Sequence, residues 1–236
     1  MRFIDLTREI NNDTQVCPCD KVPVVEDYAT TEEEGVNVKF MKMGTHTSTH
    51  IDAPYHISKD GKNLNDFPVE RFVGKGIVLD FSDKGEIYEI TREDIMARAE
   101  ELKKVDFAIL NTGWAQYYGT WDFFRHPYLS GDAALALVEL GIKIVGTDGS
   151  SADAAYGFST AKRLENPTFS EILENIEREN IKNEAHAALL GNECLIVEYL
   201  CNLDELPKEA ATYSFLPLKL IEADGSPVRA VCVAEG

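Results

Sequence analysis

The sequence predicts an α/β fold on a mixed sheet, with parallel strands at its centre and antiparallel strands toward both ends. Three observations predict it. Between residues 75 and 147, apolar runs of strand length alternate with segments of helical period. Strand-like segments without intervening helices mark both termini. The 236 residues, 44% hydrophobic and 27% charged, suffice for one sizeable core, so residues 1–236 are expected to form a single domain.

VNVKFMKM (36–43) sets Val36, Val38 and Phe40 against Asn37 and Lys39, the two-residue period of a strand. TTEEEG just before it reads as a solvated loop. KGIVLDF (75–81) is a short apolar run typical of a buried strand. TREDIMARAEEL then starts a helix, with Thr91 as N-cap and Asp94 three residues on, and with Ile95, Ala99 and Leu102 on one face. VDFAILNTG (105–113) is a second buried strand closed by a glycine turn. GDAALALVELG (131–141) is a helix ended by Gly141, and IKIVGTD is the third strand. The C-terminal YSFLPLKLIEADGSPVRAVCVAE reads as two strands around Asp224-Gly225, a hairpin or close relative.

Charge narrows the partners. With 41 acidic against 23 basic residues, the net charge of -18 repels nucleic acid and anionic membrane surfaces. The opening MRFIDLTREI is too charged for a signal peptide, and no run approaches the roughly 18 apolar residues of a membrane span. Five cysteines are an odd number and suggest reduced thiols in a cytoplasm. Cys17 and Cys19 form a C-x-C; with no second cysteine pair nearby, they read as non-ligand thiols.

HTSTHIDAPYH (46–56) contains three of the five histidines and Asp52. Thr45, Thr47, Thr49 and Ile51 are β-branched and poor helix formers. A straight strand would set His46 about 13 Å from His50, at roughly 3.3 Å per residue. Metal donors must instead converge at about 2.1 Å, so shared binding requires the chain to fold back near Thr47-Ser48. His50 and Asp52, two apart, face the same way, and Pro54 directs His56 back toward them. Imidazoles with a carboxylate suit zinc, manganese or iron better than magnesium or calcium. A closed structural site would recruit cysteines, and this stretch has none. His186 and Glu198, at the end of the run CLIVE, are candidates for a second half of the site.

This stretch resembles the H-x-G-T-H-x-D-x-P-x-H signature of the metal-dependent cyclase family, which includes bacterial kynurenine formamidases and isatin hydrolases. FIDLTREI, FPVERFVGKGIVLDF, LNTGW and GTDGSSAD extend the resemblance along most of the chain. The resemblance implies a swivelling β/β/α fold, commonly dimeric, so a homodimer or higher homo-oligomer is expected. It implies two divalent ions per subunit, zinc or manganese: His46, His50 and Asp52 on one, and Asp52, His186 and Glu198 on the other. His56 is left as the acid-base residue. The expected activity is hydrolysis of a small-molecule amide, formamide, lactam or ester by metal-activated water. A metal-assisted cyclase or dehydratase is the alternative enzyme. A non-catalytic metal- and ligand-binding protein on the same fold is the alternative outside catalysis, and an intact His56 argues against it.

Two departures from the family pattern matter. Ser48 replaces the signature glycine, and CPCD (17–20) replaces an aromatic-Pro-Gly-Asp segment, so Cys17 stands where the formamidases place an aromatic ring. A substrate contact at Cys17 without that ring predicts poor handling of aryl formamides. The 154–185 segment is longer than in the formamidases and is expected to reshape the pocket. Trp114, with Tyr117, Tyr118 and Trp121, either packs the core or a dimer contact or lines the pocket; Trp114 is the substrate-contact candidate. His126 reads as structural. Asp148 and Asp153 are candidates to support the site.

Overall fold

The computed structural model describes residues 1–161, 169–178, 180 and 182–235. Thirteen strands are present among them. They are β1 (Arg2–Asp5), β2 (Val24–Ala29), β3 (Val38–Lys42), β4 (His50–Asp52), β5 (Val73–Asp80), β6 (Glu89–Ile90), β7 (Phe107–Asn111), β8 (Tyr128–Leu129), β9 (Ile144–Thr147), β10 (Leu195–Glu198), β11 (Ala211–Ser214), β12 (Gly225–Pro227) and β13 (Val231–Ala234). The helices are α1 (Arg92–Met96), α2 (Ala99–Leu102), α3 (Gly131–Glu139), α4 (Tyr156–Ala161), α5 (Phe169–Arg178) and α6 (Glu184–Leu190).

Nine strands form one sheet in the order β1-β13-β11-β5-β7-β9-β10-β4-β12. The central four, β5, β7, β9 and β10, are parallel; every pairing outside them is antiparallel. This is the mixed arrangement expected from the sequence. The central strands are apolar on both faces because both faces are covered. Along β7, Phe107 and Ile109 join the core on one side, while Ala108 and Leu110 join the core under α3 and α6 on the other.

Thr91 caps α1 as its sequence suggests: its hydroxyl accepts from the Asp94 amide, and the Asp94 carboxylate accepts from the Thr91 amide. The expected single helix is interrupted, because Arg98 leaves helical geometry (φ -113, ψ 15) and α2 restarts at Ala99. Ile95, Ala99 and Leu102 are nonetheless all buried, since offsets of four and three keep them on one side. Gly141 ends α3 with φ +88, and Ile142 returns its amide to the Leu137 carbonyl at 3.1 Å.

Two regions differ from the sequence reading. β3 forms, but it pairs only with β2 in a separate ribbon whose residues are largely exposed. The C-terminal strands are not a hairpin about Asp224-Gly225. β11 and β13 are neighbours, with Tyr213 opposite Cys232, while β12 lies at the far edge of the sheet against β4. The glycine serves proximity rather than a turn: a Cβ on Gly225 would stand 2.7 Å from His46 Cε1. The long 154–185 segment contributes α4, α5 and the start of α6; its residues 162–168, 179 and 181 lie outside those described. Among the described residues, no helix is long and apolar enough to cross a membrane.

Candidate metal centre

The period of two along a strand puts His50 and Asp52 on one face of β4, with Ile51 in the opposite core. Residues 45–49 fold back before β4, and Ser48 makes the reversal with φ +61. That left-handed conformation suits glycine better than serine. Thr49 pins the turn: its hydroxyl donates to the Tyr199 carbonyl at 2.9 Å and accepts from the Arg8 amide at 3.0 Å. His46 is thereby returned toward His50, their ring centres 5.0 Å apart. His46 Nδ1 lies 2.7 Å, and His50 Nε2 3.2 Å, from Asp52 Oδ1.

The sheet delivers the rest. Antiparallel pairing sets Glu198 directly opposite His50, and His50 Nε2 is 3.6 Å from Glu198 Oε2. Helix α6 docks Ala185 and Leu189 into the helix-side core and so presents His186. Its Nε2 stands 3.7 Å from Asp52 Oδ2 and 3.5 Å from Glu198 Oε1. The donor atoms therefore fall into two triads sharing Asp52: His46–His50–Asp52 and Asp52–His186–Glu198.

Each imidazole is held through its other nitrogen. His50 Nδ1 meets the Ser48 carbonyl at 2.8 Å, His186 Nδ1 the Asp153 carboxylate at 2.7 Å, and His46 Nε2 the Asp224 carboxylate at 2.9 Å. A carbonyl or carboxylate can only accept, so each of those nitrogens carries a proton, and the second nitrogens face Asp52 and Glu198. Opposite buried carboxylate oxygens, those second nitrogens need positive charge, supplied either by a further ring proton or by a cation bound between. Both Asp52 oxygens are buried without a hydrogen-bond donor. Three oriented imidazoles and two buried carboxylates fit a divalent ion.

The electrostatics agree. Burial alone would lower the His46 pKa, yet Asp52 and Asp224 outweigh it and push it up to about 10. Burial and the neighbouring Asp52 push Glu198 up to about 7. The cluster calls for positive charge, which protons or a metal can supply.

His56 ends a short 3₁₀ turn begun by Pro54, and its ring lies 4.1 Å from that of His46. It is more exposed than the other three cluster histidines, and its Nδ1 is 3.8 Å from Asp224 Oδ2. Burial, against the pull of Asp52, lowers its pKa, so it is neutral at pH 7.

A cleft of about 320 Å³ opens over the cluster, and Cys17, Cys19, Ile57, Phe158, Ile176 and Tyr199 help line it. Cys17 thus stands in the wall of this cleft. Trp114 does not: it is buried against Tyr117, Phe123 and Phe124, and its indole N–H donates to the Asp122 carbonyl at 2.8 Å. The aromatic stretch after Asn111 packs against itself because two 3₁₀ turns fold it back. His126 is structural, buried between the Pro127 carbonyl and the Ser150 hydroxyl. Asp148 holds the 112–115 loop through the amides of Thr112 and Ala115 and does not reach the cluster. Asp153 supports His186 and also accepts from the amides of Ala185 and His186. Asp224 is the residue that sequence reasoning missed, because Asp-Gly reads as a turn.

A sheet with parallel central strands, carrying imidazoles and carboxylates around a shared buried aspartate, defines an α/β protein with a centre suited to divalent metal. The chain belongs to the cyclase family, described as "Putative cyclase", whose pattern matches residues 4–154. It is 31% identical to a kynurenine formamidase of Bacillus anthracis over 233 residues, covering 98% of this chain and 96% of the relative. Among solved structures, it is similar to isatin hydrolase A from Labrenzia aggregata bound to benzyl benzoate. The TM-score is 0.80 at 25% identity, over 98% of this chain and 93% of that one. Isatin hydrolase A from Ralstonia solanacearum shares the fold with a TM-score of 0.81 at 20% identity, over 99% and 92% of the two chains.

Proposed function

We propose that this protein is a metal-dependent hydrolase of a carbon–nitrogen bond in a small amide, formamide or lactam, with related esters as further substrates. The observation that carries the reading is the convergence of three imidazoles, each anchored through its outer nitrogen, on the buried carboxylates of Asp52 and Glu198. Relatives named kynurenine formamidase along nearly the whole chain support it.

His46, His50 and Asp52 would hold one ion, and Asp52, His186 and Glu198 a second; zinc or manganese suits this donor set. Such ions supply Lewis acidity, polarising the scissile carbonyl and acidifying water. His56, neutral at pH 7 and facing the cleft, takes a proton from the attacking water and passes it to the leaving nitrogen. Tyr199, Phe158 and Ile57 wall the cleft and exclude bulk water from the reacting carbonyl. Asp224 and Asp153 keep two of the imidazoles in register.

The working unit is a homodimer or higher homo-oligomer of single-domain chains. The β2–β3 ribbon exposes Tyr28, Val38, Phe40 and Met41, apolar surface of the kind that associates. All five cysteines are free thiols, in keeping with a cytoplasmic setting.

Metal analysis of the purified chain, followed by turnover assays on N-formylkynurenine, non-aryl formamides, lactams and esters, tests the function. Two metal equivalents at the histidine centre, lost on Asp52→Ala, with hydrolysis of at least one amide are expected, and a chain without metal and without turnover would overturn the reading. N-formylkynurenine is expected to be the poorer amide, because no aromatic ring stands at Cys17; stacking contributes about 0.5–1.5 kcal/mol, up to about tenfold.

A further inference from the structure

Cys17 and Cys19 differ from the other three thiols. Cys194 and Cys232 are buried, and Cys201 lies apart, against Arg8. Residues 17–20 form a tight turn closed by the Asp20 amide, which donates to the Cys17 carbonyl at 2.8 Å. Pro18 presets the backbone of that turn. Both cysteine side chains are thereby turned to one side, with their sulfurs 2.9 Å apart. The Asp20 carboxylate joins them, so that one donor atom from each of the three residues lies within 4.8 Å of the others. All three residues line the mouth of the cleft that holds His46 and His50.

We propose that Cys17, Cys19 and Asp20 form a third cation site, separate from the two Asp52 triads, which takes a thiophilic divalent ion such as zinc. Two thiolates and a carboxylate are a zinc-type donor set. Tetrahedral zinc–sulfur bonds of about 2.3 Å set the sulfurs about 3.8 Å apart, so binding would widen the present 2.9 Å pair by rotation of the two side chains. Three ligands from one turn leave a coordination position for a cleft-bound molecule. The isolated C-x-C reads as non-ligand; the tertiary arrangement adds the carboxylate and the cleft.

The test is titration of the reduced, metal-stripped full chain with cadmium, following thiolate-to-cadmium absorption in the near ultraviolet. Wild type is expected to develop the band to one equivalent. The Cys17→Ser/Cys19→Ser chain should lack it, and its zinc content after dialysis should fall by one ion. Asp52→Ala should keep the band, which separates this site from the histidine centre. Asp20→Asn, which leaves the turn and both thiols in place, should retain the band with cadmium affinity lowered about tenfold. The proposal is overturned if wild type shows no band, or if the zinc content of the double serine chain equals that of wild type. Isolation of the native chain two hydrogens lighter and free of metal at this turn would also overturn it, assigning the pair to a disulfide.

Discussion

Residues 46–56 deliver three imidazoles and a carboxylate from eleven consecutive positions, whereas Asp153, His186, Glu198 and Asp224 come from a loop, a helix, a strand end and a strand approach spread over residues 153–224. The contiguous half rests on local stereochemistry: a left-handed Ser48, the two-residue period of β4 and the proline-led turn to His56. The assembled half rests on sheet register and helix docking, with Glu198 opposite His50 and α6 seated in the core. Asp52 is the residue on which the halves meet. The difference teaches that each half can be disturbed by a different kind of substitution.

The largest effect is expected at that junction. Asp52→Ala should remove both ions and reduce activity to background, while His46→Ala should lose only the first ion and Glu198→Ala only the second. Metal content per chain by elemental analysis reads all three. If Asp52→Ala retains one full equivalent in a Cys17→Ser/Cys19→Ser background, where no thiol site remains, the halves do not share it.

His56 belongs to the contiguous half by sequence but is placed outside the ligand set by geometry. His56→Ala should leave metal content at the wild-type level while kcat falls roughly 10²–10⁴-fold. Loss of metal along with activity would make it a ligand.

Asp224 tests how far the remote part of the chain steadies the local one. Asp224→Asn keeps the size but removes the charge facing His46 Nε2 and should weaken metal affinity at the first triad by roughly 10–100-fold. Gly225→Ala should do the same by displacement, since its new methyl would meet the His46 ring. Unchanged affinity in both, measured by competition with a chelator, would show that the contiguous half needs no remote support.

The smallest effect concerns the loop beneath the assembled half. His126, buried beside Ser150, is kept neutral because burial pushes its pKa down to about 4, against 6.5 when unfolded. The unfolded chain therefore takes up the proton first. Stability is fully present above pH 6.5, declines as pH falls through the window from 6.5 to 4, and is lost by about 1 kcal/mol at pH 5.5. Urea unfolding midpoints for wild type and His126→Gln, compared between pH 7.5 and 5.5, should show a smaller decline in the variant. Parallel declines would assign the acid sensitivity to other groups.

Much of this was legible in the chain. The apolar runs at 75–81, 105–113 and 142–147 became β5, β7 and β9, because strands buried on both faces need no polar alternation. Thr91 with Asp94, and Gly141, marked helix ends through caps that act over a few residues. Trp114 was ambiguous, since an aromatic side chain suits a cleft wall and a core equally well, and only the fold-back of residues 114–125 decided for the core.

The sequence by itself determined most of the contiguous cluster, for its turn, strand period and proline act between near neighbours, and only the pinning of Thr49 by Tyr199 and Arg8 comes from afar. Only the tertiary structure decided that Asp224 abuts His46 rather than turning a hairpin, that Asp153 rather than Asp148 supports His186, and that Cys17, Cys19 and Asp20 stand at the mouth of the same cleft. Those relations are set by which strands pair and how a helix docks. Such long-range choices depend on burial summed over the whole sheet, and no short stretch of residues encodes them.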